Sequence, residues 1–280
     1  MSVAPFAIGI CSWSLQVTSV PELRKLLDEL GVNVIQIACG DPVHASWDEG
    51  EAMPEAARAA GFEATAAMLG FPGEDYTTPQ TIRETGGFGN PATRAGRLDH
   101  LNWALDRTRK LGLDLLMLHG GFLPEPEDAD RKPFLDTLGE AAARARAQGV
   151  TLGLETGQET ADLLRRTLDD LQCDNVKVNF DPANMLLYDM GDPIRAVEIL
   201  GPDICSVHCK DANRPTTKGA WGEEVPLGQG QVGMAQFVRT LKRVGYTGPL
   251  VIEREVGNQA DRMRDCAHGI QVLRDIVAGL

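Results

Sequence analysis

Four side chains in the second half of the chain could do chemistry together. Glu155 closes Leu-Gly-Leu-Glu, Asp181 closes Val-Asn-Phe-Asp, His208 closes Cys-Ser-Val-His and Glu253 closes Leu-Val-Ile-Glu. Each is an ionisable group at the end of a short apolar or β-branched run, the composition of a buried strand. If the four run ends meet, three carboxylates crowd one small volume. They must then take up protons or be offset by a cation. One divalent metal ion is the economical solution. Oxygen donors with a single imidazole suit Mn²⁺ first, then Mg²⁺ or Co²⁺, with Zn²⁺ still admissible and thiolate-preferring ions disfavoured.

The four runs belong to a longer series that would position them. Predicted strands are Ala7–Cys11, Asn33–Ile37, Glu63–Met68, Asp114–Leu118, Thr151–Glu155, Val176–Phe180, Ile204–His208 and Pro249–Glu253. Predicted helices between and after them are Pro21–Leu30, Glu51–Ala60, Arg97–Leu111, Lys132–Gln148, Glu159–Leu171, Pro193–Leu200, Met234–Val244 and Ala260–Val277. Leu98, Leu101, Leu105, Thr108 and Leu111 recur at three and four residues, as one buried helical face requires. Gly31, Gly61, Gly112, Gly149, Gly201 and Gly245 each follow a helical pattern, where a left-handed cap favours glycine. Strand and helix alternate from end to end with no linker or composition shift. The fold class is therefore α/β, a single (β/α)8 barrel over residues 1–280, close to the roughly 250 residues typical of such barrels.

In a barrel of this kind the active site lies at the C-terminal ends of the strands, where Glu155, Asp181, His208 and Glu253 fall. Two-residue alternation then sends Leu152, Leu154, Val178, Phe180, Leu250 and Ile252 outward to the helices. With His208 inward, it also turns Cys205, Val207 and Cys209 outward. His119 ends the fourth strand in register with Leu115 and Met117 and points into the same mouth. Lys210 follows His208 by two and faces that mouth if the strand geometry persists, where it could neutralise an oxyanion or pair with a glutamate. Trp13, after the first strand, stands near the same rim, where its ring could stack on a bound ligand or simply pack. Two connections, Leu69 to Gly96 and Cys209 to Gly233, are long enough to be binding loops, and Phe71–Arg97 has the composition of a movable cover. Gly228-Gln-Gly230 lacks the context of a phosphate loop and reads as a flexible turn.

Composition narrows the partners. The formal net charge of -13 offers no basic stripe for nucleic acid. No apolar run is long enough to span a bilayer, and Ala4 to Cys11 reads as a strand rather than a signal peptide, so a cytoplasmic location is expected. The six cysteines, without a CxxC pair, read as free thiols used in packing.

Several segments resemble the sugar phosphate isomerase/epimerase superfamily of xylose isomerase-like TIM barrels, which includes ketose 3-epimerases, hydroxypyruvate isomerase and inosose dehydratase. They are Gly153-Leu-Glu155, Asn179-Phe-Asp181-Pro-Ala-Asn184, Ser206-Val-His208-Cys-Lys-Asp211 and Gly245-Tyr-Thr-Gly-Pro-Leu-Val-Ile-Glu253-Arg-Glu255. The resemblance implies that Glu155, Asp181, His208 and Glu253 bind one metal and that the two glutamates exchange the substrate proton. It also implies that Arg214, six residues after His208, contacts substrate oxygens. One departure stands out: three residues after the aspartate, ketose 3-epimerases have a histidine and this chain has Asn184. Asparagine can hydrogen-bond a hydroxyl but cannot carry a titrating proton. Homodimers or homotetramers are also implied.

The function expected is a metal-dependent isomerase or epimerase of a keto sugar or related polyol, working by proton abstraction next to a carbonyl through an enediolate. The alternative is a lyase of the same superfamily, dehydrating an inosose or eliminating the aglycone of a 3-keto-glycoside. A multi-zinc endonuclease would need more histidine at strand ends than His119 and His208. A sugar-binding scaffold would not need an intact metal set.

Overall fold

The computed structural model describes residues 5–40 and 47–280. Its strands are β1 (Ile8–Cys11), β2 (Val34–Ala38), β3 (Glu63–Leu69), β4 (Leu115–Leu118), β5 (Thr151–Glu155), β6 (Val176–Phe180), β7 (Ile204–Cys209), β8 (Asp211–Asn213), β9 (Glu223–Val225) and β10 (Leu250–Ile252). Eight of them close a parallel barrel: β1 to β7 run in sequence order, and β10 pairs with both β7 and β1. The expected TIM barrel is the observed one. Closure leaves no barrel strand with an unpaired edge.

The alternation inferred from the sequence explains why these runs form strands. Leu152, Leu154, Val178, Phe180, Leu250 and Ile252 lie in the large apolar layer between barrel and helices. Burying each such side chain is worth about 1.5–3 kcal/mol. A smaller cluster of Cys11, Ala38, Ala66, Met68, Met117 and Val251 fills the barrel itself. Mostly small or unbranched side chains suit that narrow interior. Alternation is broken by register shifts, one between β2 and β3 at Ile35/Gln36 and one between β6 and β7. The second, between Val178 and Asn179, opposite Ile204 to Ser206, turns Cys205 inward as well as Ser206. A Cβ added to inward-facing Gly153 would lie 3.4 Å from Cys205 Sγ. Cys205 therefore does not face the helices.

The helices are α1 (Val20–Leu30), α2 (Met53–Ala59), α3 (Pro79–Thr85), α4 (Arg94–Lys110), α5 (Arg131–Ala147), α6 (Ala161–Leu171), α7 (Pro182–Leu187), α8 (Pro193–Leu200), α9 (Met234–Arg243) and α10 (Gln259–Ala278). Eight answer the predicted ones; α3 and α7 were not anticipated. Five of the six predicted glycine stops have positive φ, but Gly201 has φ -43 and opens a 3-10 turn. It is small for another reason: a Cβ there would lie 2.7 Å from Val244 Cβ.

Both long connections are structured. The 71–97 segment holds α3, whose Thr78 and Thr81 form a reciprocal capping box, and the first turn of α4. Phe71 and Phe88 are fully buried. Glu74 accepts from the backbone of Gly87 at 2.7 Å and of Phe71 at 3.1 Å. The Arg97 guanidinium donates to the Gly87 and Thr85 carbonyls. These anchors describe a packed wall rather than a loose cover. In the second connection β8 and β9 form an antiparallel hairpin. Asp211 accepts from the backbone N–H groups of Ala212, Gly228, Gly230 and Val232, so the Gly228-Gln-Gly230 turn is pinned rather than flexible.

Candidate metal centre and cavity

Glu155, Asp181, His208 and Glu253 come together at the C-terminal mouth of the barrel. One ligand atom from each lies within 4.8 Å of all the others, and all four residues are buried. Strand geometry delivers the residues, and local chemistry aims them. Asp181 is the N-cap of α7: its Oδ1 accepts from Ala183 and Asn184 N–H at 2.8 and 3.1 Å, so the cap spends one carboxylate oxygen and leaves Oδ2 for the site. The Thr156 hydroxyl donates to Asp181 O and accepts from Asp181 N, both at 2.9 Å, tying the ends of β5 and β6. Glu155 and Glu253 stand three strand positions apart around the barrel.

His208 bridges the set. Its Nδ1 is 2.8 Å from Glu155 Oε1 and 3.4 Å from Glu253 Oε2, while Nε2 is 2.8 Å from Gln36 Oε1. The Gln36 amide nitrogen donates to Ser206 Oγ at 2.6 Å, which leaves its oxygen as the acceptor facing the imidazole. Nε2 therefore carries a proton, and Nδ1 is the nitrogen aimed at the carboxylates. Burial opposes the imidazolium, but Glu253 and Glu155 overcome it and hold the His208 pKa well above its ordinary value. Burial also pushes Asp181 up to about 8, against the pull of Lys210 and with the push of Glu253 and Glu155. A centre that keeps protons on buried acid and imidazole lacks positive charge. The donor set fits a divalent cation, which would displace those protons.

Lys210 supplies part of the missing charge. Its buried ammonium lies 2.7 Å from Glu253, 2.9 Å from Glu255 and 3.0 Å from Asp181. An unpaired ammonium at that depth would cost several kcal/mol. The structure thus pairs Lys210 with carboxylates beneath the mouth. Cys11 also approaches His208 and Glu253, a neighbour the sequence reading treated as packing. Burial raises its thiol to about 12, so it stays protonated at neutral pH, and Sγ is 3.5 Å from Gln36 Oε1.

Above the cluster opens a cavity of about 330 Å³. Trp13, His119, Glu155, Asn184 and Glu253 line it. The Trp13 indole N–H donates to Glu253 Oε1 at 2.7 Å, so this ring orients a carboxylate as well as forming a wall. His119 Nε2 is 3.2 Å from Glu155 Oε2, and Asn184 Nδ2 donates to Glu155 Oε1 at 3.4 Å. Arg214 lies elsewhere: its guanidinium bonds Asp189 at 2.8 Å and the Gly191 carbonyl, and it does not line the cavity. Tyr76 and Glu74 line the cavity from the expected covering segment, whereas sequence reasoning missed Gln36, Tyr188, Trp221 and Glu224. Gln36 left one signal, a polar residue inside the apolar run Val34–Ala38. The others sit on connections, where periodicity gives none.

The family model described as a xylose isomerase-like TIM barrel matches residues 22–276. The chain belongs to that family. Among solved xylose isomerase-like barrels, a xylose isomerase domain protein from Planctomyces limnophilus superposes with a TM-score of 0.83 at 32% identity, covering 98% of this chain and 97% of that one. An uncharacterised protein of Methanocaldococcus jannaschii is 25% identical over 205 residues, 66% of each chain. L-ribulose-5-phosphate 3-epimerase UlaE of Escherichia coli is 27% identical over 168 residues, 58% of this chain. The chain spans 66% and 57% of the lengths of these two curated relatives. Among the described residues, no helix is long and apolar enough to cross a membrane.

Proposed function

We propose that this chain is a divalent-metal-dependent isomerase or epimerase that moves a proton next to the carbonyl of a keto sugar or related polyol. The observation that carries this reading is one cavity floored by a buried Glu/Asp/His cluster, with two of its glutamates three strands apart. Glu155, Asp181, His208 and Glu253 hold the ion, with Mn²⁺ the first choice ahead of Mg²⁺, Co²⁺ and Zn²⁺. When bound, a divalent ion supplies Lewis acidity that polarises a carbonyl and acidifies the adjacent C–H.

The side chains divide the remaining work. One of Glu155 and Glu253 removes the proton, and the other returns one from the opposite side. Trp13 and Lys210 fix Glu253 in place; His119 and Asn184 do the same for Glu155. Asn184 holds Glu155 without titrating, so both proton positions rest on the glutamates. Trp13, His119 and Asn184 face the substrate, whereas Arg214 is committed to Asp189. Assembly as a homodimer or homotetramer belongs to the same reading and is checked by sedimentation.

The test is incubation of the metal-loaded protein in D2O with ketoses, inososes and 3-keto-glycosides. Deuterium should enter at one carbon next to the carbonyl without elimination, and Glu155→Gln or Glu253→Gln should slow exchange by about a hundredfold or more. Loss of water or aglycone would assign the lyase instead. Undiminished exchange in both variants would refute the two-glutamate mechanism.

A further inference from the structure

Resting on the reading of this cavity as the substrate site, we infer that its ligand is an uncharged, unphosphorylated polyhydroxy ketone bearing an apolar group that reaches the rim. The titratable residues lining the cavity are Glu74, Glu155, Glu224, Glu253 and Glu255 together with Tyr76, Tyr188 and His119; no lysine or arginine lines it among the described residues. Residues 1–4 and 41–46 contain neither type.

Cations close to the mouth are turned to other partners, Arg262 among them, whose guanidinium donates to the Trp13, Glu255 and Gly257 carbonyls. Lys210 lies among Asp181, Glu253 and Glu255. Arg254 is 2.6 Å from Glu224 and 2.8 Å from Asp265. Arg83 lies over the Phe122 ring, and Phe122 packs edge-on against cavity-lining Tyr188. A divalent ion and Lys210 together just offset the three carboxylates of the floor. Among the described residues no lysine or arginine lines the cavity to meet a phosphate, which would enter beside further glutamates. The phosphate in the substrate named for the Escherichia coli relative has no partner here.

The rim has the opposite character. Val256 is 50% exposed and is the large hydrophobic side chain that stands out to solvent among the described residues. It lines the cavity with Leu187, Tyr188 and Trp221. The Tyr188 and Trp221 rings meet edge-on at 4.7 Å, and Gln158 Nε2 donates to the Tyr188 hydroxyl at 3.3 Å. Gly222 N donates to Leu187 O at 3.0 Å, fixing the hairpin that carries Trp221 against α7. This prearranged apolar wall beside a polar floor is complementary to a two-part ligand.

Calorimetry on the Mn²⁺-loaded protein tests both halves with matched probes. L-ribulose 5-phosphate should bind at least about tenfold more weakly than L-ribulose. Phenyl 3-keto-β-D-glucopyranoside should bind at least about tenfold more tightly than its methyl counterpart. Trp221→Ala and, separately, Val256→Ser should shrink that phenyl preference. Equal or tighter binding of the phosphate overturns the first half. Equal affinity for the two keto-glucosides, or no binding of either, overturns the second. Deuterium exchange is read independently: exchange without these preferences refutes this inference alone, and preferences without exchange refute the isomerase reading alone.

Discussion

Gln36 shows how one side chain can set the state of the imidazole proposed as a metal ligand. By donating to Ser206 and accepting from His208 Nε2, it presents Nδ1 to the carboxylates. Gln36→Leu should therefore weaken Mn²⁺ binding by about 10–100-fold, measured by calorimetry, with the circular dichroism of the fold retained. Protons give a second expectation at this scale. Asp181 stands at about 8 in the metal-free fold against an ordinary 3.8, so between those values the folded protein holds a proton that the unfolded chain releases. Stability of the metal-free protein from this group falls as pH rises through that window. His208, raised above its ordinary 6.5, contributes stability that is full below 6.5 and lost as pH rises through its folded pKa, in the same direction. Metal requires both groups deprotonated. Metal affinity and the gap in Tm between metal-loaded and metal-free protein should both grow from about pH 6 to about pH 8.5.

At the scale of elements, what was legible followed apolar periodicity. Leu98, Leu101 and Leu105 announced α4, and the run Leu152–Leu154 announced the strand that ends in Glu155. Where polar groups do the packing, that signal is absent. The first turn of α4 is buried through Arg94 and Arg97, whose guanidinium groups bind carbonyls of residues 85–89. A predictor looking for leucines starts the helix three residues late. Helix α7 is six residues long and capped by Asp181, so the site residue was found and the helix it caps was not. Cys205 faced the wrong way in the sequence reading because a register shift cannot be seen in one strand alone. The wall formed by residues 71–97 depends on contacts as close as that at Gly87, where a Cβ would lie 2.2 Å from Gly120 C. Gly87→Ala should lower the Tm by more than about 5 °C and raise hydrogen exchange across 71–97. An unchanged Tm would mean that the wall is loose.

For the whole molecule, the barrel converts four distant sequence positions into one centre. Glu155 and Glu253 are 98 residues apart in sequence, yet both approach His208 Nδ1, at 2.8 and 3.4 Å. The four-residue cluster was readable because each member ends a recognisable strand. The walls of the cavity were less so, since Tyr76, Tyr188, Trp221 and Val256 gather from four separate connections through tertiary packing alone. An acidic protein with a net charge of -13 gains from a cation here both locally and through its overall field. Metal analysis by mass spectrometry after stripping and reconstitution with Mn²⁺ tests the central claim most directly. One ion should bind per chain and be lost in Asp181→Ala and in His208→Ala, each still folded by circular dichroism. A reconstituted wild-type chain that binds no divalent ion would contradict it.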